Sequence, residues 1–123
     1  MCAKGTFEID MTPQEDEEFP AGRMLISKTY SGDITGSGIG QMISKRTVDG
    51  AAIYHAIEEF SGSVAGKSGG FTLVHSGYMD KESQSLEISI LSGSGSGELQ
   101  TISGSMNITQ DENGHSYEFT YQL

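Results

Sequence analysis

Residues 58–75 read Glu-Glu-Phe-Ser-Gly-Ser-Val-Ala-Gly-Lys-Ser-Gly-Gly-Phe-Thr-Leu-Val-His, and this stretch is the strongest indication of the fold in the sequence. Phe71, Leu73 and His75 occupy alternate positions, the period of two that places one row of side chains on each face of a strand. The preceding glycines relieve the steric limits on a chain reversal. The stretch therefore predicts a hairpin, with one strand at 52–60 and another at 67–75.

A second copy of this sequence motif supports the hairpin. Phe60-Ser61-Gly62-x-Val64-x-Gly66 repeats Tyr30-Ser31-Gly32-x-Ile34-x-Gly36 thirty positions later. Residues 51–60 also fit a short helix, because their apolar residues fall at helical spacing and Asp49 is a suitable N-cap. Since residues 22–30 alternate as a strand, the repeat favours a strand at 52–60 as well.

The rest of the chain continues the strand pattern. Further alternating segments lie at 3–10, 22–30, 86–90, 98–108 and 116–123. The last of them carries the clearest alternation, with Tyr117, Phe119 and Tyr121 on one face. About eight strands joined by short turns predict an all-β protein whose single antiparallel sheet closes into a barrel and so leaves no exposed edge.

Several segments read as connections between strands. They are the acidic run at 14–18, the serine-glycine run at 92–97 and the Asp-Glu-Asn-Gly sequence at 111–114. Residues 31–44, with glycines at 32, 36, 38 and 40, are predicted to form a tight turn followed by a bent strand. Pro13 should end the first strand, because proline cannot donate to the hydrogen-bond ladder. Glycines 36, 38 and 40 are interpreted as turn glycines and not as a phosphate loop, since no helix follows them. The run at 92–97 is expected to be a flexible loop inside the fold.

Length and charge narrow the class of protein. The chain has 123 residues, which fits one domain over 1–123, and its 17 acidic and 7 basic residues give a net charge of −10. This surplus of acid disfavours nucleic acid and anionic membrane as partners, because both require clustered Lys and Arg. Cys2 alone cannot build a disulfide framework, and the start of the chain lacks the apolar run of a signal peptide. We therefore expect a soluble cytoplasmic protein.

His75 is the first candidate functional residue. It shares a strand face with Phe71 and Leu73, so if that face lines the barrel, an imidazole lies at the edge of an apolar pocket. There it would serve as a polar contact for a ligand or as a general acid or base near neutral pH. The alternative is a core or rim histidine satisfied by a backbone carbonyl.

Glu58 is the second candidate, on a face with Tyr54, Ala56 and Phe60. Beside an aromatic wall, desolvation would disfavour its charged form, a state suited to proton abstraction. The alternative is a glutamate in water, and only one of Glu58 and Glu59 can point inward. A ligand in the interior would then contact Tyr54, Phe71, Leu73 and His75.

No metal or cofactor site is expected. The three histidines, at 55, 75 and 115, lack the paired spacing by which a zinc site is recognised in sequence.

The chain resembles a known family at several motifs in order. They are Gly5-Thr6-Phe7, the segment 60–75, Ser94-Gly95-Ser96-Gly97-Glu98-Leu99, and the terminal Gly114-His115-x-Tyr117-x-Phe119-x-Tyr121-x-Leu123. It is similar there to an uncharacterised family of small bacterial proteins related in fold to the allene oxide cyclase barrel. The resemblance implies an eight-stranded, lipocalin-sized barrel that commonly self-associates. It brings no reaction and no catalytic residue.

Three functions remain open from the sequence. The first is a barrel that binds an apolar or amphipathic small molecule in its interior. The second is an isomerase or cyclase in which Glu58 or His75 moves a proton. The third is a structural protein whose outer face forms a homo-oligomer, expected to be a dimer.

Overall fold

A computed structural model of the protein describes residues 1–14, 20–112 and 114–123, and the regular elements in these ranges are β-strands. The strands are β1 (Cys2–Gln14), β2 (Gly22–Gly32), β3 (Ile34–Arg46), β4 (Ala52–Val64), β5 (Lys67–Met79), β6 (Gln84–Ile90), β7 (Ser96–Gly97), β8 (Ser103–Asp111) and β9 (Gly114–Gln122). The strand interpretation of residues 52–60 is confirmed, and the helix alternative is wrong. Nowhere in the described ranges is there a helix suited to crossing a membrane.

The predicted barrel is confirmed. Antiparallel pairing runs in the order β4-β3-β2-β1-β9-β8-β6-β5, and β4 also pairs with β5, so that eight strands close on themselves. The two-residue β7 adds to β5 at Gly69 and Gly70 as an extra strand. The seam between β6 and β8 is short, with Ile88 opposite Met106 and Ser89 opposite Ser105.

Aromatic rings fill one half of the barrel. Phe60 stacks on Phe71 at 4.8 Å between ring centroids, Phe71 on Phe119 at 5.8 Å, and Phe119 on Tyr121 at 5.2 Å. Such offset pairs add to the stabilisation from buried apolar area. This half is therefore a packed core and not a cavity.

The repeated motif does not reverse the chain at the same place in its two copies. β2 ends at Gly32 and β3 begins at Ile34, whereas β4 continues through Val64 and turns at residues 65 and 66. The common feature is packing, because Ile34 and Val64 are opposite each other and both fully buried.

The expected end of the first strand at Pro13 is wrong. β1 continues to Gln14, with Pro13 opposite Met24 of β2. Its pairing with β9 stops at Phe7, so beyond that point one side of β1 is an edge, where a proline removes no ladder hydrogen bond.

The serine-glycine run and the start of the strand predicted at 98–108 also differ from expectation. Residues 98–101 form turns, and β8 begins only at Ser103. The run at 92–97 is tied to β5, since Thr72 N donates to Ser94 Oγ at 3.0 Å and Gly70 N to Ser96 Oγ at 3.1 Å. This arrangement directs Leu99 and Ile102 into the core, where they are buried. Because the two buried side chains of this segment are three positions apart, its sequence lacks the period of two of a strand. The prediction of a strand from residue 98 is therefore wrong.

Two predicted connections fall partly outside the described residues. Of the acidic run at 14–18, Gln14 is the last residue of β1 and the others lie outside the described ranges. In the turn predicted at 111–114, Asp111 is opposite Gly114 and Asn113 lies outside the described ranges.

The outer wall of β2 to β5 carries an apolar patch. Five exposed side chains lie at neighbouring register positions, and we call them the outer apolar patch: Leu25, Ile39, Ile43, Ile57 and Val74. Ile39 is 66% exposed and Ile57 is 59% exposed. These β-branched side chains point away from the barrel interior and do not contribute to its core.

Candidate functional site

Glu58 and His75 meet inside the barrel. They project from the inward faces of β4 and β5, and Nε2 of His75 lies 2.9 Å from Oε1 of Glu58. Glu58 is 1% exposed and His75 4%. Glu59 is exposed on the outer face, so Glu58 is the member of the pair that points inward.

Two residues that sequence reasoning missed complete the site. Lys28 Nζ donates to Oε1 of Glu58 at 3.0 Å, and the Tyr30 hydroxyl makes a short hydrogen bond to Oε2. Both come from the inward face of β2 and both are buried. We call Lys28, Tyr30, Glu58 and His75 the buried polar cluster. A signal was present in the sequence, because Lys28 shares the strand parity of the apolar Ile26.

Glycines of β3 make room for the glutamate. Gly38 and Gly40 lie in the middle of the strand on its inward face. The strand predicted within residues 31–44 is therefore confirmed, whereas the interpretation of glycines 36, 38 and 40 as turn glycines is wrong. A Cβ on Gly38 would come within 2.1 Å of Oε2 of Glu58, and a Cβ on Gly40 within 2.7 Å of a backbone oxygen of β4. Only glycine at 38 leaves the space that the carboxylate occupies.

The cluster keeps Glu58 ionised. Burial alone raises the pKa of Glu58, but the hydrogen bond from His75, the charge of Lys28 and the hydrogen bond from Tyr30 outweigh it, and the pKa falls to about 2. The expectation that desolvation would disfavour the charged form is thus overturned by the partners. Burial, followed by the charge and hydrogen bond of Glu58, raises the pKa of Tyr30, so this phenol stays protonated.

A cavity opens at the end of the barrel away from the aromatic core. It has a volume of about 670 Å³, and we call it the mouth cavity. Its wall includes these inward-facing residues: Met11, Met24, Met42, Tyr54, Met79, Leu86 and Ile108. Tyr54 lies over Gly77 on the neighbouring strand, where a Cβ would fall 2.2 Å from the phenol ring. Four of the six methionines of the chain thus surround one opening.

The predicted ligand contacts separate into two groups. Tyr54 lines the mouth cavity, and His75 lies one register step deeper on β5, opposite Ala56. Phe71 and Leu73 lie deeper still, at 2% and 0% exposure in the aromatic half. The structure thus places Tyr54 in the wall of the mouth cavity, His75 in the buried polar cluster, and Phe71 and Leu73 in the packed core.

Among the described residues, no group of three or more His, Cys, Asp or Glu side chains is arranged to hold an ion.

Comparison with known proteins agrees with the fold. The family model described as protein of unknown function (DUF3224) matches residues 3–121. A crystal structure of a DUF3224 protein of unknown function from Shewanella oneidensis MR-1 is similar to this chain with a TM-score of 0.94 and 32% sequence identity. That similarity covers 100% of this chain and 96% of the other. The curated proteins contain no match. The match over nearly the whole chain shows that this protein belongs to the DUF3224 family.

Proposed function

We propose that the protein binds an apolar or amphipathic small molecule in the mouth cavity. The observation that carries the proposal is the cavity itself, whose volume of about 670 Å³ lies within the range of about 300–1,000 Å³ usual for small-molecule sites. Its wall is mainly apolar, with Ser44, Lys45, Arg46, Gln84 and Ser85 as its polar members. Methionine side chains adapt their shape to irregular ligands.

The two halves of the barrel suit this role differently. Stacked rings fill the aromatic half, while the half at the open end contains the mouth cavity. An apolar molecule that enters the mouth cavity leaves water for a preformed surface, so little ordering of the protein opposes binding. An isomerase or cyclase would use the same cavity and would also need a proton acceptor at its inner end.

A fluorescence titration with neutral N-phenyl-1-naphthylamine tests the proposal. We expect saturable binding by the natural protein and loss of affinity by more than about tenfold in Met42→Trp, which fills the mouth cavity. Gln41→Trp is the matched control, because the next residue of β3 points outward. The proposal fails if the natural protein does not bind the probe, or if the two tryptophan variants weaken binding equally.

A second candidate function is self-association through the outer apolar patch, since Ile39 and Ile57 remain more than half exposed. We propose a second copy of this chain as the occupant. Each copy carries a net charge of −10 and repels another. Gln41 and His55 lie between members of the patch and carry no carboxylate, and Glu59 lies opposite Ile39 at its border. A symmetric contact there brings this carboxylate near the other copy, so the apolar contact must outweigh a repulsion that salt screens.

Light scattering after size-exclusion chromatography tests self-association. We expect a dimer whose stability rises with salt, because screening reduces the repulsion between the two acidic copies. Ile57→Glu should give a monomer, and Ser105→Glu, an exposed change on β8, should not. A monomer for the natural protein at high concentration and high salt would exclude this role.

A further inference from the structure

The wall of the mouth cavity differs in charge from the chain as a whole. The chain has 17 acidic and 7 basic residues. Among the described residues of this wall there is no Asp or Glu, and its charged members are Lys45 and Arg46. Its other polar side chains all carry an N–H or O–H donor: Ser44, Tyr54, Tyr78, Gln84 and Ser85. The wall therefore offers a ligand positive charge and hydrogen-bond donors.

Arg46 lies at the rim of the cavity, on the inward face of β3. It continues the inward alternation of Met42 and Ser44, and it is exposed. In register it is opposite Ala52 of β4, whereas Tyr54 is opposite Ser44, one inward-facing position deeper. The arginine thus lies next to water, with the apolar part of the cavity on its inner side.

Arg46 is not neutralised within the described part of the chain. The ion pairs between described residues all belong to the buried polar cluster. Asp80, in the turn after β5, accepts a hydrogen bond from the Tyr78 hydroxyl at 2.8 Å. Lys45 Nζ donates to the carbonyl oxygen of Pro20 at 3.1 Å, which leaves its charge uncompensated by a described carboxylate. Both positive charges of the wall can therefore act on a ligand.

We propose that the ligand of the mouth cavity is an amphiphile with one carboxylate, which Arg46 binds at the rim while the apolar part of the molecule extends inward. This inference rests on the proposed function. A carboxylate has no donor of its own and accepts two parallel hydrogen bonds from a guanidinium, so it matches a wall of donors. Lys45 adds a second positive charge. Gln84 adds an amide donor from the same row of the barrel, because paired residues link it to Arg46 across β4 and β5.

The position of the arginine favours a charged group at the rim over one in the interior. A carboxylate beside Arg46 keeps contact with water, so it avoids most of the desolvation cost of a buried charge. For the same reason the ion pair is weak, since exposed pairs contribute about 0.2–1 kcal/mol. A cationic amphiphile would instead meet two positive charges in the wall.

Displacement of N-phenyl-1-naphthylamine by decanoate, decan-1-ol and decylamine near neutral pH tests this inference. The three competitors have similar apolar chains and differ in the charge of the polar group. We expect the natural protein to bind decanoate most tightly and decylamine most weakly. The net charge of −10, to which the turns and the acidic run after β1 contribute, favours the reverse order. The expected order therefore requires a local cause at the mouth cavity.

The variant Arg46→Gln identifies that cause. It should weaken the binding of decanoate by about fivefold and leave the affinities for decan-1-ol and N-phenyl-1-naphthylamine unchanged. Lys67→Gln is the control, because it also removes one positive charge but lies opposite Val64, at the other end of the barrel. It should leave all the affinities unchanged.

Three results would overturn the inference while binding of the neutral probe still supports the proposed function. They are tighter binding of decylamine than of decanoate, equal effects of Arg46→Gln and Lys67→Gln on decanoate, and equal weakening of decanoate and decan-1-ol by Arg46→Gln. Absence of binding of N-phenyl-1-naphthylamine by the natural protein would overturn the proposed function as well.

Discussion

Replacing Glu58 with glutamine should lower the free energy of unfolding by about 3–5 kcal/mol, because it leaves the Lys28 ammonium buried without its counter-charge. Lys28 is 3% exposed and its Nζ lies 3.0 Å from the glutamate oxygen. Glu59→Gln makes the same chemical change on the next residue, which is exposed, and should alter stability by less than about 0.5 kcal/mol. Urea unfolding of the two variants measures the difference.

The double variant Lys28→Met with Glu58→Gln separates the ion pair from simple loss of packing. Because the methionine removes the uncompensated charge, we expect the double variant to be less destabilised than the sum of the two single changes. Additive effects, or equal losses for Glu58→Gln and Glu59→Gln, would show that the buried polar cluster does not act as a unit.

Acid should destabilise the protein through the same carboxylate. The folded protein holds the pKa of Glu58 at about 2, below its ordinary value of 4.5. The unfolded chain therefore takes up the proton first as the pH falls, and the stabilisation present above about pH 4.5 is lost between there and pH 2. By linkage this difference in pKa corresponds to about 3 kcal/mol.

Urea unfolding at intervals from pH 6 to pH 2 checks this expectation. The natural protein should lose about 3 kcal/mol more over this window than Glu58→Gln, which has no proton to take up at that position. Glu59→Gln should follow the natural protein. Parallel curves for the natural protein and Glu58→Gln would contradict the account of the cluster.

The alternation of apolar and polar residues predicted most of the fold. Side chains of residues 116–123 alternate because one face of β9 packs inside the barrel, and the same physical cause makes β4 and β5 readable from residues 58–75. Closure followed from the cost of open sheet edges. The segment at 98–102 could not be found in this way, since Leu99 and Ile102 enter the core from turns.

Two of the four residues of the buried polar cluster, Glu58 and His75, were predicted from the sequence. Glu58 and His75 were predicted to lie on strand faces, but the sequence did not show whether those faces point inward. Lys28 lies on the same strand face as apolar residues, and a charge in that position is a sequence signal of a buried ion pair. Register was the missing information. Which glycine of β3 lies across from Glu58, and which residue of β2 reaches it across β3, depends on pairings that no local pattern encodes.

The most direct test of ligand binding in the mouth cavity is methyl NMR of protein labelled at its methionines. Met11, Met24, Met42 and Met79 line the cavity, whereas Met106 is buried in the core and Met1 lies at the exposed amino terminus. With N-phenyl-1-naphthylamine we expect the four mouth methyl signals to shift and those of Met106 and Met1 to stay in place. Unchanged mouth signals at saturating probe, or shifts confined to Met1 or Met106, would show that the probe does not bind in the mouth cavity.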